Sequence, residues 1–260
     1  MLRPRIIPCL LIQNGGLVKT TGFQDPKYVG DPINAVKIFN EKEVDELLVL
    51  DIDATRNNKE PNFDLIRKLA VECRMPFCYG GGVKTLIHAK KIINLGAEKV
   101  AISSSALNNL KLIEEIGTNV GTQSVVVVLD VRKRKNIFGS IEYEIYTLNG
   151  KIKSKYNLFE FVNLLNNIGI GELVINSIDN DGIMNGYDLE LVDYVRSITD
   201  FPLTVLGGVG SLNHFGELFG RFGIMGAAAG SFFVFKGKFR AVLISYPTKE
   251  EVELLTKNIY

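Results

Sequence analysis

An aspartate closing an apolar run, Val125-Val126-Val127-Val128-Leu129-Asp130-Val131, is the residue of this chain most obviously placed to move a proton. A carboxylate where a buried strand runs out into a loop reads as a general acid or base. Its other reading is a structural acceptor for backbone donors. Four turn-like segments are rich in glycine or serine: Gly80-Gly81-Gly82, Ser103-Ser104-Ser105, Gly207-Gly208-Val209-Gly210 and Gly226-Ala227-Ala228-Ala229-Gly230-Ser231. Glycine lets backbone N–H groups come close to an anion, and a following helix N-terminus adds a favourable dipole. The same glycines also suit tight turns. Asp181-Gly182 belongs either to the second such site or to a turn or helix cap. Finally Arg5, Glu46, Lys99 and Glu172 each open an apolar run, so four charges of alternating sign start four strands. They read as a stabilising ion-pair ring or as a gate across a path through the core.

What must position these residues is a regular alternation of strand-like and helix-like segments. Apolar β-rich runs fall at 5–11, 46–52, 76–79, 99–102, 124–131, 172–177, 202–206 and 224–229, several apolar on consecutive residues, as parallel strands buried on both faces require. Amphipathic stretches lie between them at 31–44, 63–73, 85–95, 108–116, 158–168, 188–198 and 212–219. Eight strand–helix repeats predict an α/β fold closed into a single (β/α)₈ TIM barrel, whose chemistry sits at the C-terminal ends of its strands. Asp31-Pro32 predicts a helix start. The polar stretches 14–28 and 132–155 are long for strand–helix connections, and each carries an Asn-Gly suited to a hairpin tip. Asp51-Ile52-Asp53 is echoed by Ser177-Ile178-Asp179, and Gly81-Gly82-Val83 by Gly207-Gly208-Val209, at one offset of 126 (177 − 51 and 207 − 81). Ser105 falls on Ser231 at the same offset, 126 (231 − 105). A duplicated half-barrel follows, with one domain over 1–260, halves at approximately 1–122 and 123–247, and a terminal helix at 248–260. Duplicated anion pockets on opposite sides of one mouth suit an elongated ligand with a phosphate at each end.

The bulk composition excludes several function classes. Net charge is +1, with acids and bases interspersed, so the basic stripe that nucleic acid or an anionic membrane demands is missing. The cysteines Cys9, Cys73 and Cys78 are odd in number and lie in apolar stretches, which predicts reduced core thiols. His88 and His214 are isolated, and no metal-binding spacing is present. Residues 1–11 read as a first strand and not as a signal peptide, and no apolar stretch is long enough to span a bilayer. A cytoplasmic location is expected.

Taken together, Arg5-Ile6-Ile7-Pro8-Cys9-Leu10, Gly80-Gly81-Gly82, the run ending at Asp130, residues 177–182 with Gly186-Tyr187-Asp188, and Gly207-Gly208-Val209-Gly210 resemble the cyclase subunit of imidazole glycerol phosphate synthase. The resemblance extends through about residue 235. It implies a barrel that receives ammonia from a glutaminase subunit on its bottom face and passes it through the core. There the ammonia meets a bis-phosphorylated intermediate of histidine biosynthesis, and two aspartates at the ends of strands one and five do the acid–base work. By resemblance Asp130 is the strand-five acid and Lys19 the loop-one lysine. Arg5, Glu46, Lys99 and Glu172 are the ammonia gate, and Glu98 docks the glutaminase. Gly82, Ser104, Asp181, Gly182, Gly208, Gly230 and Ser231 hold the phosphates. No cofactor or metal is implied.

The departures are specific. Leu11 stands where the family has the strand-one aspartate, Ser103-Ser104 replaces an Asn-Thr pair, and Leu206 replaces a serine. Losing one catalytic carboxyl costs about 10²–10⁴-fold in rate, so efficient cyclisation is not expected. The tail 235–247, with Leu11 and residues 14–20, resembles a paralogous group associated with acetamidino sugars. That resemblance implies a phosphorylated or nucleotide-linked substrate, conversion of an acetamido group of a surface-polysaccharide sugar, and an ATP-dependent amidotransferase as a second partner. The chain itself has neither a Gly-x₄-Gly-Lys-Ser/Thr loop nor a Cys–His arrangement for glutamine hydrolysis, so ammonia must come from a partner. Two other readings stand beside this one: the true cyclase of histidine biosynthesis working with Asp130 alone, and a non-catalytic scaffold that activates a glutaminase.

Overall fold

Alternate residues of the first strand, Arg5, Ile7, Cys9 and Leu11, share one face, because successive strand side chains point to opposite sides. In the computed structural model, which describes residues 3–136 and 139–257, that face lines the inside of a closed barrel. Strand β1 (Arg5–Gln13) pairs in parallel with β2 (Leu47–Asp51) on one side and with β8 (Gly226–Ala229) on the other. Between them run β3 (Phe77–Gly80), β4 (Lys99–Ile102), β5 (Val125–Lys135), β6 (Glu172–Ser177) and β7 (Leu203–Leu206), every neighbouring pair parallel. All eight expected strands are present, and the fold is the (β/α)₈ barrel.

Period-2 alternation then separates two cores. Ile7, Cys9, Leu48, Cys78, Ala101, Val126, Val128, Val174, Leu206 and Ala228 fill the barrel interior. The alternate set, including Ile6, Val49, Phe77, Val127 and Ile175, packs outward against the helices. Those helices are α1 (Pro32–Glu41), α2 (Phe63–Glu72), α3 (Leu86–Asn94), α4 (Ser104–Asn108), α5 (Leu110–Val120), α6 (Leu158–Ile168), α7 (Leu189–Arg196) and α8 (Leu212–Phe222), followed by α9 (Ser231–Val234) and α10 (Lys249–Thr256). Asp31 caps α1 by accepting the Asn34 N–H at 2.9 Å, with Pro32 in the first turn, as its sequence predicts. Such a cap contributes about 1 kcal/mol. The helix expected over 108–116 is instead α4 and α5, broken at Asn109, whose backbone is extended (φ −147°, ψ 92°). Residues 258–260 of the expected terminal helix lie outside the described residues. Among the described residues no helix is long and apolar enough to cross a membrane.

Both long connections are hairpins that fold back over the mouth. After β1, Asn14-Gly15 turns with φ of 50° and 78°, a two-residue hairpin turn of the kind Asn-Gly favours. The strands Gly16–Thr21 and Gln24–Gly30 follow. β5 runs four residues beyond the expected 131, because Ile141–Thr147 pairs beside it from Asp130↔Tyr146 to Lys135↔Ile141. The Asn149-Gly150 turn then leads into Ile152–Asn157. The two tips meet: a methyl group placed on Gly150 would lie 3.3 Å from the Phe23 ring.

Candidate active site

Where β1 to β8 run out, their inward side chains and the following loops enclose one basin. It holds about 1250 Å³ of space, open solvent at its rim included. Lys19, Gly82, Ser104, Asp130, Asp181, Gly182, Gly208, Gly230 and Ser231 all line it, so the structure gathers the candidate catalytic and phosphate-binding residues into one place, while Gly210 and residues 226–229 of the glycine-rich segments lie outside its lining.

Asp130 ends the inward series Val126, Val128, Asp130 of β5 and faces the basin. β6 is paired in register beside it, Asn176 opposite Asp130, and the Asn176 side-chain amide donates to Asp130 Oδ1 at 2.9 Å. Burial pushes the Asp130 carboxyl up to about 7; the Asn176 bond opposes this and the nearby charge of Asp181 adds to it. A carboxyl titrating near neutrality is suited to both giving and taking a proton. Leu11 holds the matching inward position on β1 and brings a methyl-lined wall to the basin. Leu50 and Leu206 extend that apolar floor.

Lys19 sits on the second strand of the first hairpin, only 4% exposed. Its ammonium group donates to the Cys9 carbonyl and lies beside Gly230, where an added methyl group would stand 2.7 Å from Nζ. Burial lowers its pKa, offset in part by Cys9 and Asp181. The hairpin is held in this position by Asp181, whose Oδ2 accepts from Thr20 Oγ1 at 2.7 Å and from the Phe23 N–H at 3.1 Å. Phe23 carries a φ of 65°, an unfavourable conformation for a side-chain-bearing residue that this clasp sustains. The observed bonds of Asp181 are thus those of a clasp. Burial raises its pKa against these two hydrogen bonds and the attraction of Lys19.

The glycine turns are crowded on their Cβ side. A methyl group on Gly82 (φ 71°) would lie 2.7 Å from the Lys59 carbonyl, and one on Gly208 (φ 108°) 2.0 Å from the Gly186 carbonyl. Each turn is therefore wedged against a neighbouring loop, and glycine is required by approach as well as by conformation. The Gly182 position is equally tight, 2.2 Å from the Thr20 carbonyl. The Gly82 N–H donates to Thr55 Oγ1 at 3.3 Å. The short helices that open at Ser104 and Ser231 have no side-chain cap, nor do α5 and α8, whereas α1, α2, α3, α6, α7 and α10 are capped by side chains. First-turn N–H groups left without a cap are the donors an anion can take.

On the opposite face Arg5, Glu46, Lys99 and Glu172 form a closed ring. Arg5 bridges Glu46 and, at 2.7 Å, Glu172; Lys99 bridges the same two carboxylates at 2.8 and 2.7 Å. Burial works against the charge on Glu172, but Arg5 and Lys99 outweigh it and hold the carboxyl below its usual range. Lys99 is raised in turn, the two carboxylates overcoming its own burial. Thr204 Oγ1 adds a hydrogen bond to Glu172. Glu98 is exposed on this face, although one of its oxygens accepts the Phe77 N–H at 2.8 Å.

Asn176, Thr20, Phe23 and Asp51 are basin residues that sequence reasoning did not single out as side chains. Asn176 was findable from strand parity, since Glu172, Val174 and Asn176 are successive inward positions. Asp51 accepts the Asp53 and Ala54 N–H groups at 3.0 Å, yet burial leaves its pKa raised. Cys9, Cys73 and Cys78 are free, and burial pushes the Cys9 thiol up to about 12. Among the described residues no group of histidine, cysteine and carboxylate side chains gathers that could hold a metal ion.

Comparison with known proteins adds independent information. A family model described as histidine biosynthesis protein matches residues 5–240. A Vibrio vulnificus protein provisionally named imidazole glycerol phosphate synthase subunit hisF3 is 52% identical over 251 residues, covering 96% of this chain and 95% of that protein. A Pseudomonas aeruginosa protein provisionally named subunit hisF2 is 50% identical over 254 residues, 98% of this chain and 100% of its own length. The imidazole glycerol phosphate synthase subunit HisF of Clostridium botulinum is 37% identical over 236 residues, covering 91% of this chain and 92% of its own.

Proposed function

The chain belongs to the histidine biosynthesis protein family, in its imidazole glycerol phosphate synthase HisF-like branch, and from that premise we propose that it is the ammonia-channelling barrel subunit of a glutamine amidotransferase whose acceptor is not the histidine precursor. The observation that carries this reading is Leu11, an apolar side chain lining the basin where the family mechanism has a second carboxylate. The intact Arg5/Glu46/Lys99/Glu172 ring supports retained ammonia delivery. A glutaminase subunit docks on the face that carries this ring and Glu98, and ammonia crosses the interior lined by Ile7, Cys9, Ala101 and Val128.

At the mouth, the glycine loops around Gly82 and Ser104 hold one phosphate, and those around Gly182, Gly208, Gly230 and Ser231 hold the other. Lys19, beside Gly230, supplies positive charge to the second group. Asp130 exchanges the proton as nitrogen adds to the acceptor, kept in place by Asn176. The acceptor in this reading is a phosphorylated or nucleotide-linked sugar whose acetamido group becomes acetamidino for a surface polysaccharide. An ATP-dependent amidotransferase activates it, in the cytoplasm. The two pockets are read as descendants of one half-barrel, 1–122 and 123–247.

Purified protein supplied with ammonium salt and the bis-phosphorylated histidine precursor is expected to make imidazole glycerol phosphate at least about 10²-fold more slowly than a two-carboxylate cyclase. Formation at a normal rate would sink the proposal. The second reading, the true cyclase, is favoured by the assembly of Lys19, Asp130 and Asp181 in one basin. Rescue of a histidine auxotroph lacking its cyclase decides for it. A pure scaffold would tolerate Asp130→Asn without losing the activity of its complex.

A further inference from the structure

The chain's two histidines, His88 and His214, are 126 residues apart (214 − 88), the interval that separates Gly82 from Gly208 (208 − 82). Each lies in the first turn of the helix that follows a glycine loop, His88 in α3 and His214 in α8. Each turns Nδ1 toward the backbone N–H four residues earlier: Lys84 N to His88 Nδ1 at 3.4 Å, and Gly210 N to His214 Nδ1 at 3.1 Å. His88 Nδ1 is also 3.3 Å from the Gly82 carbonyl, while its Nε2 faces the Glu60 carboxylate at 3.6 Å. The His214 ring packs on Gly186, where an added methyl group would be 3.7 Å away, and Gly186 N in turn donates to the Gly208 carbonyl at 2.7 Å.

We propose that His88 and His214 are positioning residues for the two phosphate groups, each bracing one glycine loop by accepting an N–H of that loop on Nδ1. The proposal rests on reading the basin as a two-phosphate site. An imidazole that accepts on Nδ1 carries its proton on Nε2; His214 accepts the Gly210 N–H in this way, and the Glu60 carboxylate facing His88 Nε2 suits the same tautomer, whereas with the proton on Nδ1 His88 would brace its loop by donating to the Gly82 carbonyl instead. Gly82 and Gly208 sit at φ of 71° and 108°, conformations that glycine does not itself favour over others, so the loop's contacts with its neighbours, the histidine bond among them, select it. A loop already braced in the free protein loses less freedom when an anion binds. Helix capping does not explain His88, since Thr85 Oγ1 already caps α3 by accepting the His88 N–H; α8 has no side-chain cap at Ser211, and the capped helices α1, α2, α6, α7 and α10 begin with no histidine. The side chain recurs only where a glycine loop of the basin precedes the helix.

The test uses the full-length protein titrated with inorganic phosphate, the amide signals of Gly82 and Gly208 reporting each loop separately. His214→Ala is expected to weaken phosphate at the Gly208 loop about tenfold and leave the Gly82 loop unchanged; His88→Ala is expected to do the reverse. His214→Asn, whose side-chain oxygen can take the place of Nδ1, restores most of the affinity. Two-bond nitrogen–proton spectra of the unmodified protein, with only two histidines to assign, are expected to show His214 as the Nε2–H tautomer. Unchanged affinity in folded alanine variants overturns the proposal, as does an Nδ1–H tautomer at His214. Should the alanine variants not fold, the asparagine variant and the tautomers decide. Absence of any phosphate response in the unmodified protein overturns the two-phosphate reading itself, a different failure from loss of the brace.

Discussion

Replacing Asp130 by asparagine should abolish chemistry and yet stabilise the protein above neutral pH. Burial at the barrel mouth raises this carboxyl from 3.8 to about 7. Between those values the folded chain holds a proton that the unfolded chain has released, so stability falls by about 1.36 kcal/mol per pH unit as pH rises. The accumulated loss reaches about 4 kcal/mol by pH 7 and stays constant above it, whereas below pH 4 there is none. Asparagine does not titrate and escapes this loss. The favourable bond from Asn176 to the charged carboxyl is already contained in the folded value, and neutral Asp130 and asparagine both accept that bond. The net expectation is a variant about 4 kcal/mol more stable than the unmodified protein at pH 8 and no more stable at pH 4. Urea unfolding of both proteins at pH 4.5 and pH 8 measures it, since contributions from all other groups cancel in the difference. A stability difference that is the same at both pH values refutes the reasoning and returns Asp130 to an ordinary, solvated carboxylate.

Other perturbations test other parts of the molecule. Lys99→Met leaves Glu46 and Glu172, with side chains 7% and 5% exposed, sharing Arg5 alone; because Lys99 is itself partly exposed, the loss in urea unfolding should be about 2 kcal/mol, below the fully buried case. In the glutaminase complex the same variant should uncouple glutamine hydrolysis from product formation, and unchanged coupling returns the ring to a purely structural role. Leu11→Asp places a second carboxyl opposite Asp130 and is expected to raise imidazole glycerol phosphate formation by at least about 10²-fold; a folded variant with no gain shows that the acceptor site has diverged beyond this one residue. Gly208→Ala drives a methyl group to 2.0 Å from the Gly186 carbonyl and should cost well over 2 kcal/mol. Gly15→Ala, at φ 78° with nothing within 4 Å, should cost only about 1 kcal/mol by the same unfolding assay.

Much of this molecule is a local property of its chain. Eight apolar runs alternating with amphipathic ones decide the barrel, because strand and helix periods are written in consecutive residues. Strand parity then decides which residues face inward, so Arg5, Lys99, Glu172 and Asp130 were all legible before any coordinate. The repeated interval between Gly82 and Gly208 located two related loops at the mouth, and Asn14-Gly15 and Asn149-Gly150 located two hairpins. Other features depend on which strands become neighbours and how closely their loops approach, and no local pattern carries that information. The pairing of β5 with β6 puts Asn176 against Asp130. Closure of the mouth leaves that carboxyl only partly exposed to water and raises its pKa. Asp181 becomes a clasp only because the first hairpin folds back onto the loop after β6. The two histidines looked isolated in sequence and acquire a shared role only when each glycine loop curls back beneath its helix. Periodicity is an energy summed along the chain, whereas desolvation and hydrogen-bond pairing at the mouth are energies summed across it, and these exist only once the barrel has closed.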